Sequence, residues 1–547
     1  MRLRKVQSKI IFRAIKKNKR TIFGLKHGFA SIKTIEDYQR KVPISVFDDY
    51  IEYVRDIEDA KPAVLTEEKV LRLIPTSGSA SASKAIPFTR SLKREFQRGI
   101  RPWIFDMYIN RPKLWPGKIY WSITPSALGL RERANRSIAV GFGDDSDYFS
   151  IIEKALLKFL LVVPEEINKI QDIQSFRYVT LLFLLSKRNL RFMSVWNPMF
   201  LILILNNLTH WFPGLLRDLQ NATINPPVDI AWQLKTRLER KLKISAQRIK
   251  ELRQIYKRWR LDKDIPICRM IWPELTLISC WADSNAGHFI GQLKKIFPDV
   301  EIQPKGLIAT EGFVSLPLTP ASGGDSGRGL LAVNSHFFEF MEVDKYIEPG
   351  GNSKLKLAHE LEVGKKYTVV LTTGGGLYRY NLQDIIEVVS FRGKVAVVRF
   401  LGKHDYVSDF LGEKLNAFHV EKVLKPLFVK YGIFPEFYMM APEEYGQNIF
   451  AYTLFIKIKD CSRDLLMKFV KDADSSLAEN IHYRYCRKLQ QLKHLRLFIV
   501  EPGASVVECY LFRKVCCDGQ RLGNVKVPLL ENNLGWTKVF PGRLFCA

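Results

Sequence analysis

Thr76-Ser77-Gly78-Ser79-Ala80-Ser81-Ala82-Ser83-Lys84 sets five hydroxyls, a glycine and a lysine between two apolar runs. Upstream, Val70-Leu71-Arg72-Leu73-Ile74 alternates in the manner of a strand. Downstream, Ile86-Pro87-Phe88 precedes a helix-like segment from Ser91, so the tract is expected in a strand-to-helix turn. Backbone N–H groups converge on an anion in such a turn, and small side chains allow close approach. The spacing is not the G-x-x-x-x-G-K-[ST] of a P-loop. The residues alone therefore leave two readings, a phosphate cradle or a serine-rich surface loop.

The chain has 547 residues, enough for two to four domains, and its 47% hydrophobic content excludes a disordered protein. The longest apolar run, Met199 to Leu205, is far short of the roughly 18 residues of a membrane span and reads as a buried helix. Eight cysteines without a C-x-x-C pair indicate reduced, cytoplasmic usage, and no H-E-x-x-H or close His/Cys cluster supports a zinc site. The net charge of +28 sets up a field that attracts nucleic acid or an acidic membrane surface. It concentrates in two places. Residues 1–20 carry nine basic side chains and no acid, and are expected to form an amphipathic first helix. Lys235 to Lys263 holds twelve basic residues against three acidic ones, with apolar positions from Leu234 to Trp259 at helical spacing, so its charges read as the solvated face of a helix.

Segments 150–220 are Leu- and Phe-rich with helical spacing and are interrupted by Pro164, Pro198 and Pro213. From Glu274 onward short strands take over, among them Leu275–Ser279, Gly329–Val333, Tyr367–Leu371 and Val395–Phe400. The fold class is α/β.

Three further sites accompany the serine-rich tract. Lys305-Gly306-Leu307-Ile308-Ala309-Thr310-Glu311-Gly312 ends in a hydroxyl, a carboxylate and a glycine, and Glu311 suits magnesium, which binds hard oxygen donors. Thr372 to Asp384 contains Gly374-Gly375-Gly376 and then Tyr378, Tyr380 and Asp384. A carboxylate such as Asp384 accepts hydrogen bonds from vicinal ribose hydroxyls, and a tyrosine face stacks on a purine. Phe400-Leu401-Gly402-Lys403-His404-Asp405 reads as the turn that opens the last domain.

In this order the motifs resemble the Gretchen Hagen family of auxin-responsive acyl-acid amido synthetases, in the firefly luciferase-like, adenylate-forming superfamily. Phe23-Gly24-Leu25-Lys26-His27-Gly28-Phe29, Ser194-Val195-Trp196-Asn197-Pro198, Ser335-His336-Phe337-Phe338-Glu339-Phe340 and Gly412-Glu413-Lys414-Leu415 are similar to the bacterial-type branch. The resemblance implies a large N-terminal domain, residues 1–404, with a β-barrel-like part, and a small mobile α+β domain, residues 405–547, pivoting near Asp405. It implies ATP and Mg2+ as cofactors, with a small carboxylic acid and an amino acid as partners. The acid becomes an acyl-adenylate, which an amine then intercepts. Thr76, Ser77, Gly78, Ser79 and Lys84 would hold the triphosphate, Thr310 and Glu311 would lie at the α-phosphate and magnesium, and Tyr378, Asp384 and Lys403 would contact the nucleotide. Lys526, in a glycine-then-lysine turn, would offset transition-state charge. Trp121, Trp196 and Phe200 are candidates for the acid pocket.

Many relatives carry glycine where Ser81 and Gln383 stand, and arginine where Asn381 and Lys403 stand. Ser81 and Gln383 add a Cβ where a positive φ is expected, and Lys403 lacks a bidentate guanidinium. Two function classes follow, an acid-amido synthetase or thioester-forming variant, and a catalytically silent basic scaffold. Nucleic acid is the third and weakest option.

Overall fold

The computed structural model describes residues 2–75, 84–122, 159–282, 287–317, 328–343, 354–403, 407–408, 413, 415–446, 449–459, 461–488, 491–518, 525 and 527–545. The chain divides into two compact units, Met1–Phe400 and Leu401–Gln520 with Val525–Ala547.

The first unit opens with α1, Arg2–Lys17. Leu3, Gln7, Ile11 and Ile15 recur every four residues and are buried, so one stripe of this strongly basic helix enters the core. Gln7 is tolerated on that stripe because its amide is fully used. Nε2 donates to Val333 O (2.6 Å) and His336 O (2.9 Å), and Oε1 accepts from Phe338 N.

Strands β1 (Arg72–Pro75) and β2 (Ala85–Phe88) pair antiparallel, with Pro75 opposite Ala85. The segment between them therefore joins two strands of a hairpin, which corrects the expected strand-to-helix turn. The helix comes only after β2, as α2, Arg90–Asn110, whose first turn is capped by Thr89 Oγ1 accepting from Leu92 N.

A parallel sheet follows, in the order β3 (Lys118–Trp121), β4 (Leu190–Ser194), β5 (Leu277–Cys280), β6 (Glu301–Pro304). Its crossovers carry α3 (Ile173–Leu185), α4 (Pro198–Asn206) and α5 (Leu208–Asn221). Every residue from Pro198 to Leu205 is buried, as the apolar run led one to expect of a core helix. Pro198 occupies the first turn of α4, where its missing N–H costs nothing, and Asn197 Oδ1 caps Met199 N. Pro213, expected to break a helix, lies inside α5, and the chain instead bends by 67° at Asn207, between α4 and α5. Among the described residues no single helix is long and apolar enough to cross a membrane.

The basic stretch from Lys235 is two helices rather than one, α6 (Trp232–Lys241) and α7 (Ala246–Leu261). Leu242 leaves the helical region and Ser245 Oγ caps Arg248 N, so a new helix starts there. Leu238, Leu252 and Ile255 face inward. Arg248 is buried too, because its guanidinium donates to Leu185 O, Ile271 O and Glu251.

The second sheet of this unit runs β10 (Lys356–Leu357), β9 (Phe337–Glu342), β11 (Lys366–Thr372), β12 (Tyr380–Arg392), β13 (Val395–Lys403), β8 (Arg328–Leu331), β7 (Ser315–Leu316). Tyr380, Leu382, Asp384, Ile386 and Val388 alternate inward along β12. Across it, Arg379 and Glu339, both fully buried, pair at 3.2 Å, while Arg379 also donates to Gln39 O and Val42 O. Removing either partner would strand a buried charge, at a cost of about 3–5 kcal/mol.

The second unit contains a short pair, β14 (Val407–Ser408) and β15 (Leu415–Asn416), and a four-stranded sheet, β16 (Phe437–Gly446), β17 (Ile449–Lys457), β18 (Leu492–Val500), β19 (Gly542–Phe545). Strands β17 and β18 are parallel, so α9 (Arg463–Leu477) forms the crossover between them and packs beside α8 (Ala417–Lys430). Tyr452 OH donates to the buried Glu413 at 2.6 Å, tying that carboxylate to this sheet.

Candidate active site

The carboxyl ends of parallel strands are where open α/β sheets bind ligands. Here those ends bring Trp121 of β3, Trp196 after β4 and Lys305 after β6 together. Lys305 Nζ stands 5.5 Å from the Trp121 ring, 5.3 Å from Trp196 and 4.9 Å from Trp103 of α2. Two of the three expected pocket residues thus meet. Phe200 does not join them. Its ring packs against Phe176 of α3 at 6.1 Å, inside the helical layer, and is a core contact.

Beyond Lys305 the A-T-E-G motif forms the tip of a hairpin. Ala309 and Gly312 exchange both backbone hydrogen bonds (3.0 and 3.2 Å), Ile308 bridges to Phe313, and Thr310 and Glu311 occupy the two central turn positions. A single turn thereby offers a hydroxyl and a carboxylate side by side. These are hard oxygen donors of the type magnesium accepts.

The tip is fixed by a pair of buried residues that sequence reasoning did not select. Phe313 N donates to His336 Nε2 at 2.9 Å, so a neutral His336 carries its proton on Nδ1, which stands 2.9 Å from Glu95 Oε2. The same carboxylate accepts from Gly374 N at 2.8 Å. Glu95 and His336 thus tie the T-E-G hairpin, the triple-glycine turn and α2 into one network. His336 lies in a motif already singled out by resemblance. An acid in the middle of a helix gives no such signal.

The glycines are required by packing. A Cβ on Gly374 would lie 2.6 Å from Ser91 Cβ, and one on Gly375 would lie 2.7 Å from Pro87 O. Gly376 adopts φ +98°, in the left-handed region. The triple-glycine turn is therefore pressed onto the start of α2, with Thr89 Oγ1 donating to Gly374 O.

Beyond it Asp384 is buried on the inward side of β12. Register slips nearby. Thr368 pairs with Ile385 and Val370 with Asn381, so three residues of β12 face one of β11. Such a bulge re-aims side chains. Gln383 sits within it at φ +61°, the conformation expected of a position where glycine is at home, and its N–H is held by Asn381 Oδ1 at 2.8 Å.

Tyr378, expected to stack on a purine, is instead a core residue. Its ring stacks on Phe23 at 4.7 Å, meets Phe29 edge-on at 5.0 Å, and its hydroxyl donates to Leu65 O. It is fully buried, and desolvation holds its hydroxyl well above the usual range. Lys84, at the edge of the serine-rich tract, points over the Phe47 ring at 6.0 Å. Thr76, Ser77, Gly78, Ser79, Ser81, Asp405, Lys526 and the side chain of Lys403 lie outside the described residues.

Parallel-sheet carboxyl ends, an acid-bearing hairpin and a bulged carboxylate in one unit, with a smaller α+β unit after it in the chain, define a two-unit α/β protein. The chain resembles the structure of GH3.15 acyl acid amido synthetase with a TM-score of 0.76 at 17% identity, over 97% of this chain and 92% of that one. It matches AtGH3.15 acyl acid amido synthetase in complex with 2,4-DB with a TM-score of 0.79 at 16% identity, over the same shares. The chain belongs to the GH3 family. Residues 1–302 match the GH3 family N-terminal domain, 329–403 the central domain and 419–534 the C-terminal domain. Among its relatives, indole-3-acetic acid-amido synthetase GH3.4 of Arabidopsis thaliana is 20% identical over 428 residues, 77% of this chain and 70% of that protein. Indole-3-acetic acid-amido synthetase GH3.17, also of Arabidopsis thaliana, is 23% identical over 401 residues, 69% of this chain and 64% of that protein.

Proposed function

We propose that this protein is an ATP-dependent ligase that adenylates a small carboxylic acid and transfers the acyl group to an amine, an amino acid in the first instance. A carboxylate is a poor electrophile. Attack by its oxygen on the α-phosphate of ATP gives an acyl-adenylate and pyrophosphate, after which the amine displaces AMP. The protein's task is orientation and charge neutralisation.

The observation that carries this reading is the Glu95–His336 network, which couples the T-E-G hairpin to the glycine turn and so fixes Thr310 and Glu311. In this reading Thr310 and Glu311 lie at the α-phosphate, and Glu311 holds magnesium, which supplies neutralisation of phosphate charge. Asp384 accepts from the ribose hydroxyls. Thr76, Ser77, Gly78, Ser79 and Lys84 hold the triphosphate, Lys403 contacts the nucleotide, and Lys526 offsets transition-state charge. Gln383 fits its left-handed position with a hydrogen bond from its own backbone to Asn381, which supports a working site despite the departure from glycine.

Acid-dependent exchange of labelled pyrophosphate into ATP tests the proposal. Exchange is expected with at least one acid of a broad panel and is expected to collapse in Asp384→Ala. If no acid supports exchange and Asp384→Ala changes no measurable property, the catalytically silent scaffold takes its place.

A further inference from the structure

Helix α7, Ala246–Leu261, sorts its residues onto two opposed sides. On the inward side Arg248, Leu252 and Ile255 are buried, and Tyr256 stacks on Phe212 of α5 at 4.6 Å and on Trp259 at 5.9 Å. The opposite side carries Lys250, Arg253, Lys257 and Arg260, spaced three, four and three residues apart and all exposed. From the first to the last of them the helix rises about 15 Å. Among the described residues, none of these four cations has an acidic partner. Glu251 is the one acid of α7, and it is already held by Arg188 at 3.0 Å and Arg248 at 2.7 Å.

Like charges three and four residues apart repel, so the bare stripe works against its own helix. The other basic segment differs, since Arg4 and Lys17 of α1 pair with Glu36 and Glu68. An extended anion lying along α7 would remove the repulsion. Leu261, 90% exposed, follows Lys257 by one turn and continues the same side with an aliphatic side chain. That addition separates a lipid surface from a nucleic acid. A nucleic-acid strand stacks its bases on exposed rings, whereas Tyr256 and Trp259 stand on the side away from the stripe. An anionic bilayer offers charge to the cations and hydrocarbon to the leucine. We propose that α7 docks the protein on an anionic lipid surface, with Lys250, Arg253, Lys257 and Arg260 over the headgroups and Leu261 in the interface. The helix lies on the bilayer and does not cross it. The inference is independent of the adenylation reading, because none of these residues belongs to the site described above.

Co-sedimentation with phosphatidylcholine vesicles, with and without phosphatidylserine, tests it. The wild type partitions onto the vesicles that contain phosphatidylserine and is released as salt is raised. Each basic side chain near such a surface contributes about fivefold, so Lys250→Gln, Arg253→Gln, Lys257→Gln and Arg260→Gln combined lower the partition by about a hundredfold or more. This variant keeps the wild-type unfolding midpoint and any pyrophosphate exchange, because the four side chains are exposed and unpaired. Lys33→Gln, Lys365→Gln, Arg392→Gln and Lys394→Gln combined remove the same charge from exposed positions elsewhere and keep the partition within about threefold. Leu261→Ser lowers it by about threefold or more with no change of charge, and carries the test if the first variant misfolds. Equal losses in the two fourfold variants would reduce the stripe to a net-charge effect and overturn the proposal. Binding to a uridylate oligomer without binding to the vesicles overturns it in favour of nucleic acid, and an unchanged partition in Leu261→Ser overturns it as well.

Discussion

Replacing His336 by phenylalanine keeps a planar aromatic ring, somewhat larger than imidazole, and deletes both of its hydrogen bonds. Phe313 N–H, which donates to Nε2 at 2.9 Å, is left unsatisfied beside a fully buried ring. Glu95 keeps Gly374 N–H and loses the bond at 2.9 Å to His336 Nδ1. A stranded buried donor costs about 1–3 kcal/mol and a lost charge-assisted bond about 1.5–3 kcal/mol, so His336→Phe should destabilise the first unit by roughly 3–5 kcal/mol. For a unit of this size that corresponds to a midpoint lowered by roughly 4–6 °C. Urea titration and thermal unfolding read this directly. The functional consequence is a second, separable signal. Because Thr310 and Glu311 sit at the tip that His336 fixes, the half-saturating magnesium concentration for pyrophosphate exchange should rise while KM for the acid changes little. Glu95→Gln puts an amide donor where two donors converge, and a double-mutant cycle with His336→Phe should show coupling of about 1–3 kcal/mol. A loss below about 1 kcal/mol with unchanged magnesium dependence would refute the claim that this pair fixes the hairpin.

Gln383→Gly removes a Cβ from a residue at φ +61° and should raise stability by about 0.5–1 kcal/mol without loss of exchange; a lower unfolding midpoint counts against the strain argument. Gly374→Ala forces a Cβ to within 2.6 Å of Ser91 Cβ and 2.8 Å of Glu95 Oε1, and chemical denaturation should show a loss of about 1–3 kcal/mol. His27, whose ring meets that of Phe23 at 4.2 Å with the planes tilted by 37°, has its pKa lowered first by burial and then by Lys26, against the raising effect of its bond to Lys41 O. The unfolded chain therefore binds the proton more readily, so this contribution is present above about pH 6.5 and is lost as the pH falls through the folded-state value. The unfolding midpoint of the wild type should drop more on acidification than that of His27→Gln, and equal drops would show that His27 does not contribute.

Local pattern made several elements legible. The four-residue apolar stripe of the first helix, the uniformly apolar run at Met199 and the β-branched stretches at Tyr367 and Val395 each answer to a single periodicity, and each became the expected element. The serine-rich tract was misjudged in context because its flanks, Arg72–Pro75 and Ala85–Phe88, pair with each other, and strand pairing is not written in either flank alone. The basic stretch read as one helix since charge and apolar spacing continue across residues 242–245, whereas Ser245 restarts the hydrogen-bond ladder. Tyr378 had the composition of a nucleotide-stacking residue, and Phe23, 355 positions earlier, decided otherwise.

By itself the sequence determined the family, the α/β class and the motifs that carry oxygen donors and glycines, because those depend on residue type and short-range order. Only the tertiary structure decided which of these residues are spent on packing and which are held for chemistry. Gly374 is small because a helix turn lies against it, and Gln383 is left-handed because a bulge requires it. Glu95 and His336, 241 residues apart, become a pair, and Lys305 gathers three tryptophans from different elements. Burial and hydrogen bonding between distant segments are properties of the folded chain, and they set the role of a side chain whose type alone leaves it open.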